Sequence, residues 1–115
     1  MIDPAPAEPP DIAGVLRTLG DPTRRTLFER LVRHGEASVV ALTRAGTVSQ
    51  PAVSQHLKVL RAAGLVAERR EGRNTFYRPE PRGLAPLVDW LDVYATFWRD
   101  RFGALRTLLE EIDPT

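Results

Sequence analysis

Capping residues, prolines and glycines divide residues 11–64 into a series of short helices. Asp21 precedes Pro22, and Ser49 lies two residues before Pro51, so each pair offers an N-cap oxygen and a proline that the first helical turn tolerates. Glycine ends helices readily because it adopts backbone conformations that other residues avoid. These start and stop residues predict helices from Asp11 to Gly20, from Pro22 to His34-Gly35, from the Ser38 cap to Gly46, and over residues 50–62 before Gly64.

Apolar residues recur at helical spacing within these segments, so each helix has one face for a core. The recurring residues are Ile12, Val15, Leu16 and Leu19 in the first helix and Val39, Val40 and Leu42 in the third. The second helix has the expected buried stripe Leu27, Phe28, Leu31 and Val32, and the fourth has the core face Val53, Leu57 and Leu60.

A basic β-hairpin follows the fourth helix. Two short strands are predicted from Leu65 to Arg70 and from Asn74 to Arg78, on either side of the turn Glu71-Gly72-Arg73. Two helices joined by a tight turn and followed by such a hairpin are typical of a winged helix-turn-helix. The fold class is therefore mainly α with a small two-stranded β-hairpin, the wing being residues 65–78.

A long amphipathic helix is predicted over residues 83–111, and its apolar face is too broad for so small a domain. The face follows steps of three and four residues through Leu84, Leu87, Leu91, Tyr94, Trp98, Phe102, Leu105 and Leu109, widened by Trp90, Val93 and Phe97. On a monomer this face would be an exposed apolar patch, so we expect it to pack against a second copy. The alternative is that the helix folds back onto its own domain.

Charge is distributed unevenly along the chain, although 16 basic residues nearly balance 15 acidic ones. The central residues 44–82 carry only Glu68, Glu71 and Glu80 against eight basic side chains, namely Arg44, Lys58, Arg61, Arg69, Arg70, Arg73, Arg78 and Arg82. A basic middle between mildly acidic ends indicates either a surface that faces nucleic acid or an ordinary solvated surface.

The fourth helix is the predicted recognition helix, because no acidic residue occurs from Arg44 to Val66. Its polar side chains suit DNA: amides pair with base edges in the major groove, and a free helix N-terminus binds phosphate. We assign base contacts to Gln50, Ser54 and Gln55, and backbone contacts to Ser49, His56, Lys58 and Arg61. For His56, a hydrogen bond to the neighbouring helix is the alternative to a phosphate contact.

The wing is predicted to contact DNA through Arg69, Arg70, Arg73 and Asn74. Arginines on a narrow ribbon reach phosphates or enter a narrow minor groove. The alternative is a charged edge that prevents strands of different molecules from pairing.

These segments resemble the ArsR (arsenic-repressor-like) family of transcriptional regulators. The resemblance covers residues 12–82 and rests on Leu19-Gly20-Asp21-Pro22-Thr23-Arg24-Arg25, on residues 49–60 (SQPAVSQHLKVL), on Ala63-Gly64-Leu65-Val66, and on Arg69-Arg70-Glu71-Gly72-Arg73 with Phe76-Tyr77. It implies a homodimeric repressor that binds an inverted repeat in double-stranded DNA and releases it when a signal changes the dimer. It also implies a dimer interface on the first and last helices, here Leu16, Leu87, Trp90, Leu91, Tyr94, Phe97, Trp98, Phe102 and Leu105.

The sequence departs from the metal-sensing members of that family. It has no Cys at all, the segment from Ser38 to Arg44 lacks the Cys pair of those members, and the last helix has no His. Zinc and related metals prefer thiolate or imidazole ligands, so we expect no regulatory metal and no cofactor. A small-molecule inducer is compatible with the resemblance, but the sequence does not identify one. Trp90, Tyr94 and Trp98 are compatible either with an apolar ligand pocket or with simple packing.

Composition and motifs exclude other classes. With zero Cys, disulfides and thiol chemistry are absent. Neither His has an acid or Ser companion in the sequence and there is no Gly-rich phosphate loop, so we expect no enzyme. No apolar run reaches about 18 residues, so we expect a cytoplasmic protein without a membrane partner. A winged helix that binds protein instead of DNA is the remaining alternative.

The predicted organisation is a single domain over residues 11–115. It is preceded by a tail, residues 1–10, that contains four prolines and is predicted to be disordered.

Overall fold

The computed structural model describes residues 12–112, and its elements follow the predicted order. They are α1 (Ile12–Gly20), α2 (Pro22–His34), β1 (Ala37–Ser38), α3 (Val39–Arg44), α4 (Gln50–Ala62), β2 (Val66–Glu71), β3 (Asn74–Pro79), a 3₁₀ turn (Pro81–Leu84) and α5 (Ala85–Ile112). The predicted tail over residues 1–10 and the predicted helix start at Asp11 lie outside the described residues.

The predicted caps are confirmed by their hydrogen bonds. Asp21 Oδ2 accepts from the backbone N–H of Arg24 at 3.0 Å at the start of α2. Ser38 Oγ accepts from the N–H of Ala41 at 3.0 Å, and Ser49 Oγ accepts from the N–H of Ala52 at 3.4 Å. Local side chain–backbone bonds therefore fix where α2, α3 and α4 begin.

The core lies where α1 to α4 meet the sheet. Its buried apolar members are Val15, Leu27, Phe28, Leu31, Val39, Leu42, Val53, Leu57, Leu60, Leu65, Val66 and Tyr77. The prediction that Val32 is buried was wrong, since its side chain is 55% exposed. Val32 directly follows buried Leu31, and one position along a helix is a rotation of about 100° that carries the side chain off the buried face.

The sheet has one strand more than predicted. Among residues 12–112 it is three-stranded and antiparallel in the order β1-β3-β2, with Ala37 opposite Tyr77 and Ser38 opposite Phe76. The added strand β1 is only two residues long, too short for any period-2 pattern. The predicted hairpin is present in register Glu71↔Asn74, with Gly72 at φ 60°, and each strand extends one residue beyond its predicted end.

The C-terminal helix begins two residues later than predicted, because Pro81–Leu84 form a 3₁₀ turn. Gly83 is buried there against the backbone of Gly64. The 28 residues of α5 extend about 42 Å.

The shape of the chain is elongated because α5 projects from the domain. None of the residues of α5 is fully buried, and Leu87 near its start packs partly against the core. The radius of gyration is 19.6 Å, against about 13 Å for a compact domain of this length. No described helix is both long and apolar enough to span a membrane.

Candidate nucleic-acid interface

The exposed face of α4 is polar and carries no carboxylate. Val53, Leu57 and Leu60 bury the opposite face in the core. Packing on that side leaves Gln50, Gln55, Lys58 and Arg61 exposed, while Ser54 and His56 are half-buried at the margins. A helix held in this way presents one polar face to a ligand.

A cleft of about 120 Å³ joins the start of α4 to the wing. It brings together four residues predicted to contact DNA, Gln50 and Ser54 from α4 with Arg73 and Asn74 from the hairpin. The remaining lining comes from Ser38, Val39, Val40 and Thr75. The recognition helix and the wing tip therefore form one continuous surface.

Glu68 links the end of α4 to the base of the wing, a role that the sequence alone does not indicate. Arg61 Nη1 at the end of α4 donates to Glu68 Oε2 at 3.0 Å, and Arg70 Nε lies 3.9 Å from Glu68 Oε1. The Tyr77 hydroxyl also donates to Glu68 Oε2, at 3.0 Å. Burial of the ring and this hydrogen bond raise the pKa of Tyr77 to about 12.

Arg69 is engaged by two carboxylates rather than pointing free from the wing. It donates to Glu36 through Nε at 3.1 Å and through Nη2 at 2.7 Å, and to Glu71 through Nη1 at 2.7 Å. Its guanidinium carbon lies 4.6 Å from the centre of the Phe76 ring. The hydrogen bonds from Arg69 lower the pKa of Glu36. The sequence does not indicate Glu36 as a partner of Arg69, because the two residues are 33 positions apart in the chain.

His56 lies beside the N-cap of α2. Its Nδ1 is 4.0 Å from Asp21 Oδ2. The pKa of Asp21 is lowered mainly by the hydrogen bond from the backbone N–H of Arg24, with smaller contributions from the nearby Arg24 and His56 charges. At 4.0 Å this contact is too long for the hydrogen bond predicted as the alternative for His56, although it places the Asp21 carboxylate beside the imidazole.

Lys58 and Arg73 are the cations best placed for an external anion. Both are exposed, and neither forms an ion pair within residues 12–112. In the same part of the chain, no group of three or more His, Asp or Glu side chains is arranged to hold a metal ion. The chemistry available at this surface is hydrogen bonding to bases and attraction of phosphates.

A second exposed surface runs along α5, and we call it the apolar face. Its predicted interface members are 43–60% exposed, namely Trp90, Leu91, Tyr94, Phe97, Trp98, Phe102 and Leu105, and Leu16 on α1 is exposed to a similar degree. Ring contacts link Trp90 with Tyr94 and Trp98 with Phe102, at centroid distances of 4.7 and 5.7 Å. The predicted interface residue Leu87 instead packs partly against the chain's own core.

Comparison with known proteins gives concordant matches. A helix-turn-helix domain family model matches residues 19–69. An HTH-type transcriptional regulator of Mycobacterium tuberculosis is 49% identical over 82 residues, 71% of this chain and 73% of the relative. The biofilm growth-associated repressor of Agrobacterium fabrum is 41% identical over 87 residues, 76% of this chain and 72% of the relative.

A solved structure has a similar fold. It is the homodimeric winged helix-turn-helix DNA-binding domain of a possible ArsR-family transcriptional regulator from Mycobacterium bovis. The TM-score is 0.59 at 30% sequence identity, and the match covers 74% of this chain and 78% of that one.

Proposed function

Because this chain belongs to the ArsR family of winged helix-turn-helix transcriptional regulators, we propose that it is a homodimeric repressor of transcription that binds a palindromic DNA operator. The observation that carries the proposal is the carboxylate-free exposed face of α4 beside the basic wing tip. Such a repressor acts in the cytoplasm, where the chromosome of a bacterium is located.

Base reading is assigned to the N-terminal half of α4. Gln50, Ser54 and Gln55 present short polar side chains and amides, and Gln pairs bidentately with adenine in the major groove. Ser49 and the N–H groups of the first helical turn lie where a phosphate binds a helix N-terminus.

Phosphate contacts are assigned chiefly to Lys58 and Arg73, with Arg61, Arg70 and Asn74 beside them. Lys58 lies on the exposed face of α4, and Arg73 lies at the wing tip. Phosphate contacts fix the register of the protein on the duplex and carry no sequence information themselves.

Dimerisation is assigned to α1 and the apolar face of α5. Burial of this face against a second copy removes an aromatic patch from water, which is the main driving force for such association. A twofold dimer places two recognition helices in successive major grooves, about 34–36 Å apart, and so requires an inverted repeat.

The proposal is tested by fluorescence anisotropy with DNA from upstream of the protein's own gene, at two salt concentrations and with nonspecific competitor. We expect competitor-resistant binding that weakens steeply as salt rises, because Lys and Arg displace counterions from the duplex. Folded, dimeric protein that binds no DNA selectively would contradict the proposal in favour of a protein-binding winged helix. If binding is found, the same assay with added small molecules searches for an inducer.

A further inference from the structure

The wing is held to the rest of the domain mainly at its base. Val66 and Tyr77 anchor that base in the core, and both are nearly inaccessible to solvent. Toward the tip, the pairs Arg70↔Thr75 and Glu71↔Asn74 have no third strand beside them, since β1 pairs only with Phe76 and Tyr77. Beyond Phe76 the hairpin has no third strand beside it, so side chains must supply any further link between the wing and the rest of the sheet.

Arg69 supplies that interaction by reaching across the whole sheet. Arg69 on β2 is opposite Phe76 on β3, and Phe76 is opposite Ser38 on β1. Directly opposed side chains share a face, so the guanidinium crosses the Phe76 ring and meets Glu36, which immediately precedes β1. The distance across three strands is roughly 10 Å.

The hydrogen bonds engage all three nitrogens of Arg69. Nε and Nη2 form a two-pronged contact with the Glu36 carboxylate, and Nη1 donates to Glu71, two residues along the same strand. One cation is therefore shared by two anions, and the group of three carries a net negative charge. A DNA phosphate approaching Arg69 meets surplus carboxylate and a guanidinium whose donors are largely in use.

We propose that Arg69 and Glu36 form a strap that positions the wing for DNA binding, and that Arg69 is a positioning residue rather than a phosphate contact. The inference rests on the proposed DNA-binding function. It assigns the wing's direct contacts to Arg70, Arg73 and Asn74, which lie beyond the strap.

The two roles predict opposite effects of Glu36→Gln. If Arg69 contacts phosphate, removal of a nearby negative charge leaves DNA binding unchanged or makes it tighter. If the strap positions the wing, Glu36→Gln weakens binding although the protein becomes more positive. Removing one phosphate interaction from each protomer of the dimer lowers the affinity about 60-fold at 0.1 M salt and makes the slope of log K against log salt shallower by about 1.8.

The experiment compares Glu36→Gln, Arg69→Ala and Arg69→Lys in the full-length protein by anisotropy over a range of salt concentrations. The operator fragment is the one that binds the unmodified protein. We expect all three variants to weaken binding to a similar extent, because Lys keeps the charge but cannot bridge both carboxylates. Glu29→Gln, which removes an exposed charge on α2, is the matched control and is expected to bind at least as tightly as the unmodified protein.

A second comparison tests whether the strap affects DNA binding through the position of the wing. We expect Arg73→Ala to weaken binding in the unmodified background and to have little further effect in Glu36→Gln, because a misplaced wing already holds Arg73 away from the phosphate. Fully additive losses, or Glu36→Gln binding as tightly as the unmodified protein, would overturn the strap.

Amide hydrogen exchange tests the strap without DNA. Glu36→Gln is expected to speed exchange in the hairpin between Arg69 and Thr75 while exchange in α2 and α4 stays unchanged. If the unmodified protein bound no DNA selectively, the proposed function would fail, and hydrogen exchange would still decide the strap. Unchanged exchange in the hairpin would overturn it.

Discussion

Two carboxylates decide which cations of the interface are free to meet DNA. Glu68 binds Arg61 at the end of α4, and Glu36 binds Arg69 on the wing. Lys58 and Arg73 have no such partner among the described residues. A single exposed ion pair contributes little to stability, but a carboxylate beside an arginine changes the charge that a phosphate meets. The unpaired positive charge on this surface is therefore smaller and more localised than the number of arginines indicates.

Gln55→Ala tests base reading at the residue scale. Gln55 is exposed on α4, away from the core contacts of Val53 and Leu57, so its loss leaves the fold intact. We expect binding to the operator to weaken by about 1–3 kcal/mol with nonspecific binding unchanged. Parallel titrations with operator and scrambled duplexes measure this difference. An equal loss on both duplexes would assign Gln55 to the backbone instead.

Tyr77→Phe tests the buried hydroxyl. Burial and the hydrogen bond to Glu68 raise the pKa of Tyr77 to about 12, above its ordinary value of 10.0. The folded state thus favours the protonated phenol, whose contribution is complete below pH 10 and is lost as pH rises toward 12.

Urea unfolding at about pH 8, 10 and 11 measures that contribution. We expect the free energy of unfolding to fall less steeply with pH in Tyr77→Phe than in the unmodified protein. The unmodified protein, measured in parallel, is the reference. Identical pH dependence in the two proteins would contradict the assignment.

Gly83→Ala tests the close approach of two backbone segments. A Cβ at Gly83 would lie 2.7 Å from the carbonyl carbon of Gly64 and 3.0 Å from Leu65 Cα. Backbone atoms cannot move aside as a flexible side chain can. We expect a loss of more than about 3 kcal/mol of unfolding free energy, measured by denaturant titration.

The control for that substitution is Gly20→Ala, where an added Cβ meets nothing within 4 Å. It should change stability by less than about 1 kcal/mol. A stable Gly83→Ala protein would mean that the 3₁₀ turn packs differently against Gly64 and Leu65, which connect α4 to β2.

At the scale of elements, predictability from sequence follows the range of the interactions involved. The starts of α2, α3 and α4 were predictable because each cap bonds to a backbone N–H three residues away. Strand β1 was not, because two residues carry no periodicity and their partners lie on β3, at Phe76 and Tyr77.

The geometry of the candidate site follows the same rule. The exposure of the polar residues of α4 was predictable because its polar face is the complement of a regular apolar one, and their contacts with DNA stay a prediction. The roles of Glu36 and Glu68 were not, since they depend on strands and a helix end brought together by folding. The sequence also left two roles open for His56, a phosphate contact or a contact with the neighbouring helix, because Asp21 lies on another element.

Trp98→Ala tests the apolar face of α5. Trp98 is 52% exposed and contacts both Phe97 and Phe102, which places it at the centre of the aromatic cluster. Aromatic residues at the centre of an interface commonly contribute about 2 kcal/mol or more. We expect the dimer dissociation constant to rise at least about 30-fold, measured by sedimentation.

Thr96→Ala, on the opposite side of α5, is the matched control and should leave the dimer unchanged. If Trp98→Ala sediments with the same dimer constant as the unmodified protein, α5 does not associate through this face.

At the scale of the whole molecule, the proposed function needs two surfaces. We propose that the wing and α4 form the basic surface that reads DNA, and that the projecting α5 duplicates this surface by dimerisation. One reading surface contacts only half a site, and the twofold axis sets the distance between the halves. The symmetry of the DNA site therefore depends on both the proposed reading surface and the proposed dimer.

Selection of binding sites from random-sequence duplexes measures that symmetry directly. The unmodified full-length protein is incubated with the pool at moderate salt, and bound duplexes are sequenced over several rounds. We expect an enriched inverted repeat whose half-site centres lie one helical turn, about 10–10.5 bp, or a multiple of it apart. Enrichment of a single asymmetric half-site, or of no sequence at all, would contradict the proposed function.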